Sequence, residues 1–215
     1  MKRVAISQSN YIPWKGYFDL INSVDEFILF DDMQFTRRDW RNRNKIKTPH
    51  GAIWLTIPVD VKGKYFQKIR ETVISDSAWP QDHWKAIRHF YAKAPHFRDY
   101  EDAIAELYLD CRDQSLSLIN YRFLAGICGI LGITTKLSRS MQYCLKGGNT
   151  ERLVSLCKQA GGDIYVSSPR ARDYIQPGLF EREGIQLLYF ELGYLLDSTK
   201  ARVVGSGPWT SSRGP

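Results

Sequence analysis

The chain opens with a short apolar run, RVAIS, closed by the polar cluster QSN. Residues 15–23 then carry Tyr17, Phe18, Leu20 and Ile21 at helical spacing, and EFILFDD is a second apolar run, ending in two carboxylates. Short continuous apolar runs bounded by polar clusters read as buried strands, and strand–helix–strand order favours a parallel sheet. RNRNKIKTPHGAIWLTIPV reads as a hairpin, because Pro49-His50-Gly51 supplies turn chemistry between two β-prone stretches. FQKIRETVI reads as a further strand. Helical periodicity then takes over at residues 79–93, 98–109 and 114–131, with Pro95 as a break. ITTKLS, DIYVSSP and IQLLYFEL are the later strands, and NTERLVSLCKQAGG is a helix with a start signal and closing glycines.

These elements predict one α/β domain over residues 1–192. It has a parallel-sheet core, an inserted β-hairpin and a helical subregion at about 79–131. The Gly-, Ser- and Pro-rich end, residues 205–215, is expected to be disordered or packed only through Trp209.

Composition fits this picture. The chain has 215 residues, 43% hydrophobic and 25% charged, which suits a single globular core. No apolar run reaches membrane-spanning length, and the N-terminal stretch turns polar too early for a signal peptide, so the expected location is cytoplasmic. Cys111, Cys128, Cys144 and Cys157 have neither metal-site spacing nor disulfide-scaffold density, and are expected as buried free thiols. No metal site is expected.

Charge adds a candidate site. The net charge is +7, and Arg37, Arg38, Arg41, Arg43, Lys45 and Lys47 face a single acid, Asp39. Such a field suits phosphate, nucleotide or nucleic acid, or else is a solvated basic face. Arg41, Arg43, Lys45 and Lys47 share one strand parity, so a continuous strand would put them on one side.

Ligands of an open parallel sheet sit at the carboxyl ends of its strands. Three polar strand ends therefore stand out. The first is Gln8, Ser9, Asn10 and Tyr11, leading through Trp14, Lys15, Gly16 and Tyr17. The second is Asp31, Asp32 and Gln34, leading to Arg38, Trp40, Arg41 and Arg43. The third is Ser167 and Ser168, followed by Arg170 and Arg172. Each has a structural alternative: helix capping for the first and third, pairing of Asp31 or Asp32 with Arg37 or Arg38 for the second. Among the histidines, His83 is the best catalytic candidate, lying between Trp79 and Trp84.

The stretches ISQSNYIPWKGYFDLI, FDDMQFTRRDWRNRNKIKTPHG, WLTIPV, ETVISDSAW, HWKAIRHFYAKAPHF, LGITT and TERLVSLCKQAGGDIYVSSPRARDYI resemble the WbqC-like protein family over roughly residues 3–192. The resemblance implies a place among bacterial O-antigen and other surface-polysaccharide genes, and transfer of glycine onto a sugar. The final DSTKARVVGSGPWTSSRGP departs from the aromatic and acidic ending usual in that family. A fainter resemblance links WKGYFDLI, FILFDDMQF and YVSSPRARDYI to nucleotidylyltransferase-like enzymes of the pantothenate synthetase type. In that alignment Gly16 falls on the glycine of the His-x-Gly-His motif, while Trp14 and Tyr17 replace its histidines.

Together these readings imply an enzyme that places an amino-acyl group, glycine first, on an amino sugar or nucleotide-sugar. ATP with Mg, or a charged tRNA, would activate the donor. Arg170, Arg172 and Lys15 would hold phosphates, Asp31 or Asp32 the acceptor amine, and Gln34 or Asn10 the acyl carbonyl. The alternative is a nucleotide- or sugar-nucleotide-binding protein without catalysis.

Overall fold

The computed structural model describes residues 1–191 and 202–205. Strand β1 (Arg3–Ser7) is followed by helix α1 (Lys15–Asn22) and strand β2 (Glu26–Leu29). The hairpin β3 (Arg43–Thr48) and β4 (Gly51–Thr56) comes next, then helices α2 (Trp79–Tyr91), α3 (Phe97–Leu109) and α4 (Leu116–Ile130). The chain returns to the sheet with β5 (Lys136–Arg139), α5 (Asn149–Gln159), β6 (Ile164–Ser167), α6 (Pro177–Arg182), β7 (Gln186–Glu191) and β8 (Arg202–Gly205).

The main sheet has the order β5-β2-β1-β6-β7-β8. The first five strands are parallel; β8 pairs antiparallel with β7. The parallel core, the inserted hairpin and the helical subregion expected from the sequence are all present. From β1 the chain builds outward through β2 and β5, then crosses back to lay β6 and β7 on the other flank. The winding direction therefore reverses between β1 and β6, and the carboxyl ends of these two strands frame the crevice that this topology opens.

Side-chain alternation along the strands builds a core on each face. Val4, Ile6, Ile28, Tyr165 and Leu187 pack with Leu153, Leu156 and Phe180 of α5 and α6. Ala5, Phe27, Leu29, Ile164 and Val166 pack on the opposite face with Phe18 and Ile21 of α1 and Leu124 of α4. A third core fills the insertion, where Leu55, Ile57, Trp79, Trp84, Tyr108 and Phe123 join the hairpin to α2, α3 and α4.

One expected strand is absent. FQKIRETVI instead forms a 3-10 turn at Ile69–Glu71 with isolated bridges on either side. Its amides are taken individually by the loop after β2: Ile69 donates to the Met33 carbonyl and Arg70 to that of Asp31, each at 3.0 Å. No continuous ladder partner is left for it. Strand β2 itself stops at Leu29, so Asp31 and Asp32 lie in the loop beyond it. Three cysteines are buried as expected, but Cys144 is exposed. The expectation about the tail falls on residues 206–215, outside the described residues; Gly205 belongs to β8.

Candidate functional site: an arginine-bearing cavity at the reversal of the sheet

A cavity of about 530 Å³ opens at the carboxyl ends of β1, β2 and β6. Ser7 and Gln8 come from β1 and its loop, Phe30 and Met33 from beyond β2, and Ser167 and Ser168 from the end of β6. Three cations join the wall: Arg41, Arg152 and Arg170. Among the described residues, no carboxylate does. The first turn of α5 supplies Asn149 and Arg152, so a helix amino end, where unpaired amides and the macrodipole favour negative charge, also faces the space.

The three arginines are held differently. Arg41 donates to the Asn10 side-chain oxygen and lies 3.6 Å from Asp39, yet its buried Nε has no partner among the described residues. Arg152 Nε is anchored to the Gly147 carbonyl at 2.9 Å. Arg170 is exposed and makes no hydrogen bond or ion pair with the described residues. Arg172, its neighbour, is turned over the Tyr189 ring at 4.5 Å.

The loop after β1 is fixed from several directions. Ser9 N–H donates to Asp31 at 2.9 Å, and Ser117 on α4 donates to the same carboxylate at 2.5 Å. Asn120, one helical turn on, donates to the Ser9 hydroxyl at 3.0 Å and to the Arg41 carbonyl at 2.9 Å. Tyr17 donates to the Gln8 carbonyl at 2.8 Å. Asp31 is completely buried; desolvation raises its pKa, while Ser117, Ser9 and Arg41 oppose the rise. In this setting Asp31 orients the loop and Arg41 and is not among the cavity-lining residues.

Asp32 faces another way. It accepts from Arg70 at 2.9 Å and Ser140 at 2.7 Å, with Lys68 at 4.0 Å. Its cationic partners come from the 3-10 turn rather than from Arg37 or Arg38. Arg37 instead donates to the Val61 carbonyl, and Arg38, at φ 60°, is exposed. Gln34 is exposed and donates to the Tyr65 carbonyl.

His83 lies in the insertion core. Tyr108 and Tyr11 hydroxyls meet at 2.6 Å, Tyr11 meets His83 Nδ1 at 2.9 Å, and His83 Nε2 meets the Thr56 carbonyl at 3.2 Å. Thr56 can only accept, so Nε2 carries the proton, Nδ1 accepts from Tyr11, and Tyr108 donates to Tyr11. Burial lowers the His83 pKa to about 4, so the ring is neutral near pH 7. Both of its nitrogens are engaged within the core.

The basic run divides. Arg41 reaches the cavity, whereas Arg43 and Lys45 lie over Trp54 at 4.0 and 4.8 Å, and Trp54 packs on Trp40. Lys15 pairs with Asp19 at 2.7 Å on the exposed side of α1, Gly16 is buried behind it, and Trp14 is 63% exposed. None of Lys15, Arg43, Lys45 and Lys47 is among the residues that line the cavity.

Residues 8–195 match the WbqC-like protein family. The chain belongs to that family. Its relatives include the uncharacterized protein Rv1507c of Mycobacterium tuberculosis, 52% identical over 191 residues, which cover 89% of this chain and 83% of the relative. No solved structure matches the chain. The matched WbqC-like region takes in all three loops of the cavity and the whole insertion. Within it, Arg152 and Asn149 are lining residues that sequence reasoning passed over; the signal available was their position in the first turn of a helix whose start was legible. No helix among the described residues is long and apolar enough to cross a membrane.

Proposed function

We propose that this WbqC-like protein takes part in bacterial surface-polysaccharide assembly by binding a nucleotide-linked amino sugar in the arginine-bearing cavity and transferring an amino-acyl group, glycine first, to its amine. The observation that carries this reading is a wall that has, among the described residues, three arginines and no carboxylate, placed where the parallel sheet reverses direction. A diphosphate suits that wall, because guanidinium groups meet phosphate oxygens with charge-assisted, directional hydrogen bonds. Ser167 and Ser168 add hydroxyls, and the faint resemblance to nucleotidylyltransferase-like enzymes supports the same loop as a phosphate contact.

In the transfer, the sugar amine attacks the acyl carbon of an activated glycine. An amide bond forms, the bond to the leaving group breaks with its electron pair, and the amine proton passes to solvent. ATP, leaving as AMP from an acyl-adenylate, or a charged tRNA would supply the activated carboxyl. Arg41, Arg152 and Arg170 would hold the phosphates of a bound nucleotide. Because no carboxylate among the described residues lines the cavity, a magnesium ion would be held through those phosphates rather than by these lining side chains.

One observation favours a second reading, a sugar-nucleotide-binding protein without turnover. Among the described residues no histidine lines the cavity, His83 has both nitrogens engaged elsewhere, and Trp14 and Tyr17 stand at the positions of the two motif histidines. Incubation with ATP, glycine and a nucleotide amino sugar, read by mass spectrometry, separates the two. The acylated sugar supports transfer. Saturable binding of the unmodified sugar nucleotide without product supports the second reading, and neither binding nor product defeats both.

A further inference from the structure

The loop between β4 and the 3-10 turn carries two aromatic side chains that the fold leaves uncovered. Phe66 is 82% exposed and Tyr65 71% exposed. Their rings meet edge to face at 5.0 Å. The loop itself is braced along its length. Arg37 donates to the Val61 carbonyl, and Gln34 to the Tyr65 carbonyl at 2.8 Å. The Gln67 side chain donates to the Asp60 carbonyl at 3.0 Å, and the Gln67 carbonyl accepts Phe35 N–H at 2.9 Å. Asp60 N–H donates to the Val73 carbonyl at 2.9 Å. Gly63, at φ 73°, turns the chain between Val61 and Lys64. Ordering a backbone costs entropy, yet here it buries neither ring. It holds both out into solvent.

The charge around the rings has one sign in excess. Lys62 and Lys64 stand in the same protrusion, both exposed, and Arg37, also exposed, is anchored at its base. Asp60 is the one acid among residues 59–68, and it is paired with Lys64 at 2.6 Å. Lys62 and Arg37 have no carboxylate partner among the described residues. The size of the feature then separates the occupants. Two aromatic side chains bury about 150–250 Å² each, well below the roughly 800 Å² per partner of a stable protein interface. A bilayer surface needs less. Aromatic rings settle at head-group depth, and lysine and arginine heads reach lipid phosphates from beside them.

We propose that the loop of residues 60–67 is a peripheral anchor for an anionic lipid bilayer, with Phe66 and Tyr65 entering the head-group region and Lys62 and Arg37 meeting the phosphates. The anchor is joined to the arginine-bearing cavity. Ile69, two residues beyond it, donates to the carbonyl of Met33, which lines that cavity. Anchoring is independent of what the cavity binds.

The test is co-sedimentation of the full chain with vesicles of phosphatidylcholine alone, and of phosphatidylcholine and phosphatidylglycerol in equal parts, over a lipid and a salt series. The mixed vesicles should bind at least about tenfold better, and binding should weaken as salt rises. Phe66→Ser combined with Tyr65→Ser should lose about tenfold or more, with an unchanged thermal midpoint, because the fold covers neither ring. Lys62→Ala should lose about fivefold, the weight of one basic residue near such a surface. Phe66→Trp should add fluorescence that shifts to the blue on the mixed vesicles and is quenched by brominated acyl chains. The chain's net charge of +7 makes adsorption through another surface the competing outcome. Unchanged binding in the double serine variant would show that outcome and overturn the proposal. So would no binding to the mixed vesicles, or no quenching in Phe66→Trp beyond the wild type. A dimer in lipid-free sedimentation that the double serine variant disperses would give the loop to a second copy of the chain, and would overturn it as well.

Discussion

Ser117 donates to the Asp31 carboxylate at 2.5 Å and thereby ties helix α4 to the loop beyond β2, across 86 residues of sequence. The same carboxylate takes the Ser9 amide, so one buried acid fixes two strand ends against the insertion. Ser117→Ala should lower stability by about 1.5–3 kcal/mol, the usual range for a hydrogen bond to a charged group. Asp31→Asn should cost less than Asp31→Ala, since the amide oxygen can still accept from Ser9. Urea unfolding midpoints compare the three; equal losses for Asn and Ala would show that the acceptor is unimportant.

The phosphate reading gives a graded expectation. Arg170→Ala and Arg152→Ala should each weaken binding of a nucleotide-sugar by about 10-fold, a loss of about 1.4 kcal/mol. Lys15→Ala should leave it unchanged, because Lys15 is engaged with Asp19 outside the cavity. Affinity should also fall as salt rises. Calorimetry across a salt series measures all three proteins; a large effect at Lys15 would move the site toward α1.

His83 predicts an acid limb. Its folded pKa, about 4, lies below the ordinary value of 6.5 because burial disfavours the imidazolium. Between those values the unfolded chain binds the extra proton, so stability is fully present above pH 6.5 and falls as pH drops toward 4. The slope attributable to one such group approaches about 1.4 kcal/mol per pH unit. Denaturation curves from pH 4 to 7 should show a shallower dependence in His83→Gln than in the wild type.

Gly162 sits where the chain turns from α5 into β6, and a Cβ there would come within 2.7 Å of Cys157 Sγ and of a Val4 methyl. Both neighbours are buried in the core. Gly162→Ala should destabilise the fold by about 1–3 kcal/mol through overpacking, read as a lower thermal midpoint. A neutral result would mean that the β1–α5 contact relaxes freely.

Local pattern made the sheet legible. RVAIS, DIYVSSP and IQLLYFEL lie mostly in strands because short apolar runs bounded by polar clusters have little alternative once both faces are covered. FQKIRETVI failed because two successive amides, Ile69 and Arg70, are taken by the loop carbonyls of Met33 and Asp31, which gives a turn rather than a ladder. The three strand ends were readable as a group, since parallel topology alone brings them to one edge. How their side chains divide was not. Asp32 pairs with Arg70 and Lys68, and Arg41 turns away from Arg43 and Lys45 because it precedes β3 instead of continuing it. Strand parity carries no information beyond the end of a strand. A mostly apolar cavity of about 700 Å³ between the hairpin and helices α2, α3 and α4 was hidden for a related reason: its wall is assembled from a loop, a hairpin and three helices, each of which reads as ordinary core by itself.

Strand β2 meets β1 early in the sequence but must await β5, to which the chain returns only at Lys136 after leaving at Leu29. During synthesis one hydrogen-bonding edge of β2 thus stays unpaired while the hairpin and three helices emerge. Sequence-distant pairings close slowly, and open edges invite wrong neighbours. The core of the insertion is built from residues that all precede β5 in the sequence, and Ser117 and Asn120 tie it to the strand ends. Changes that loosen the insertion are therefore expected to appear first as lower yield of folded protein and only afterwards as a fall in equilibrium stability.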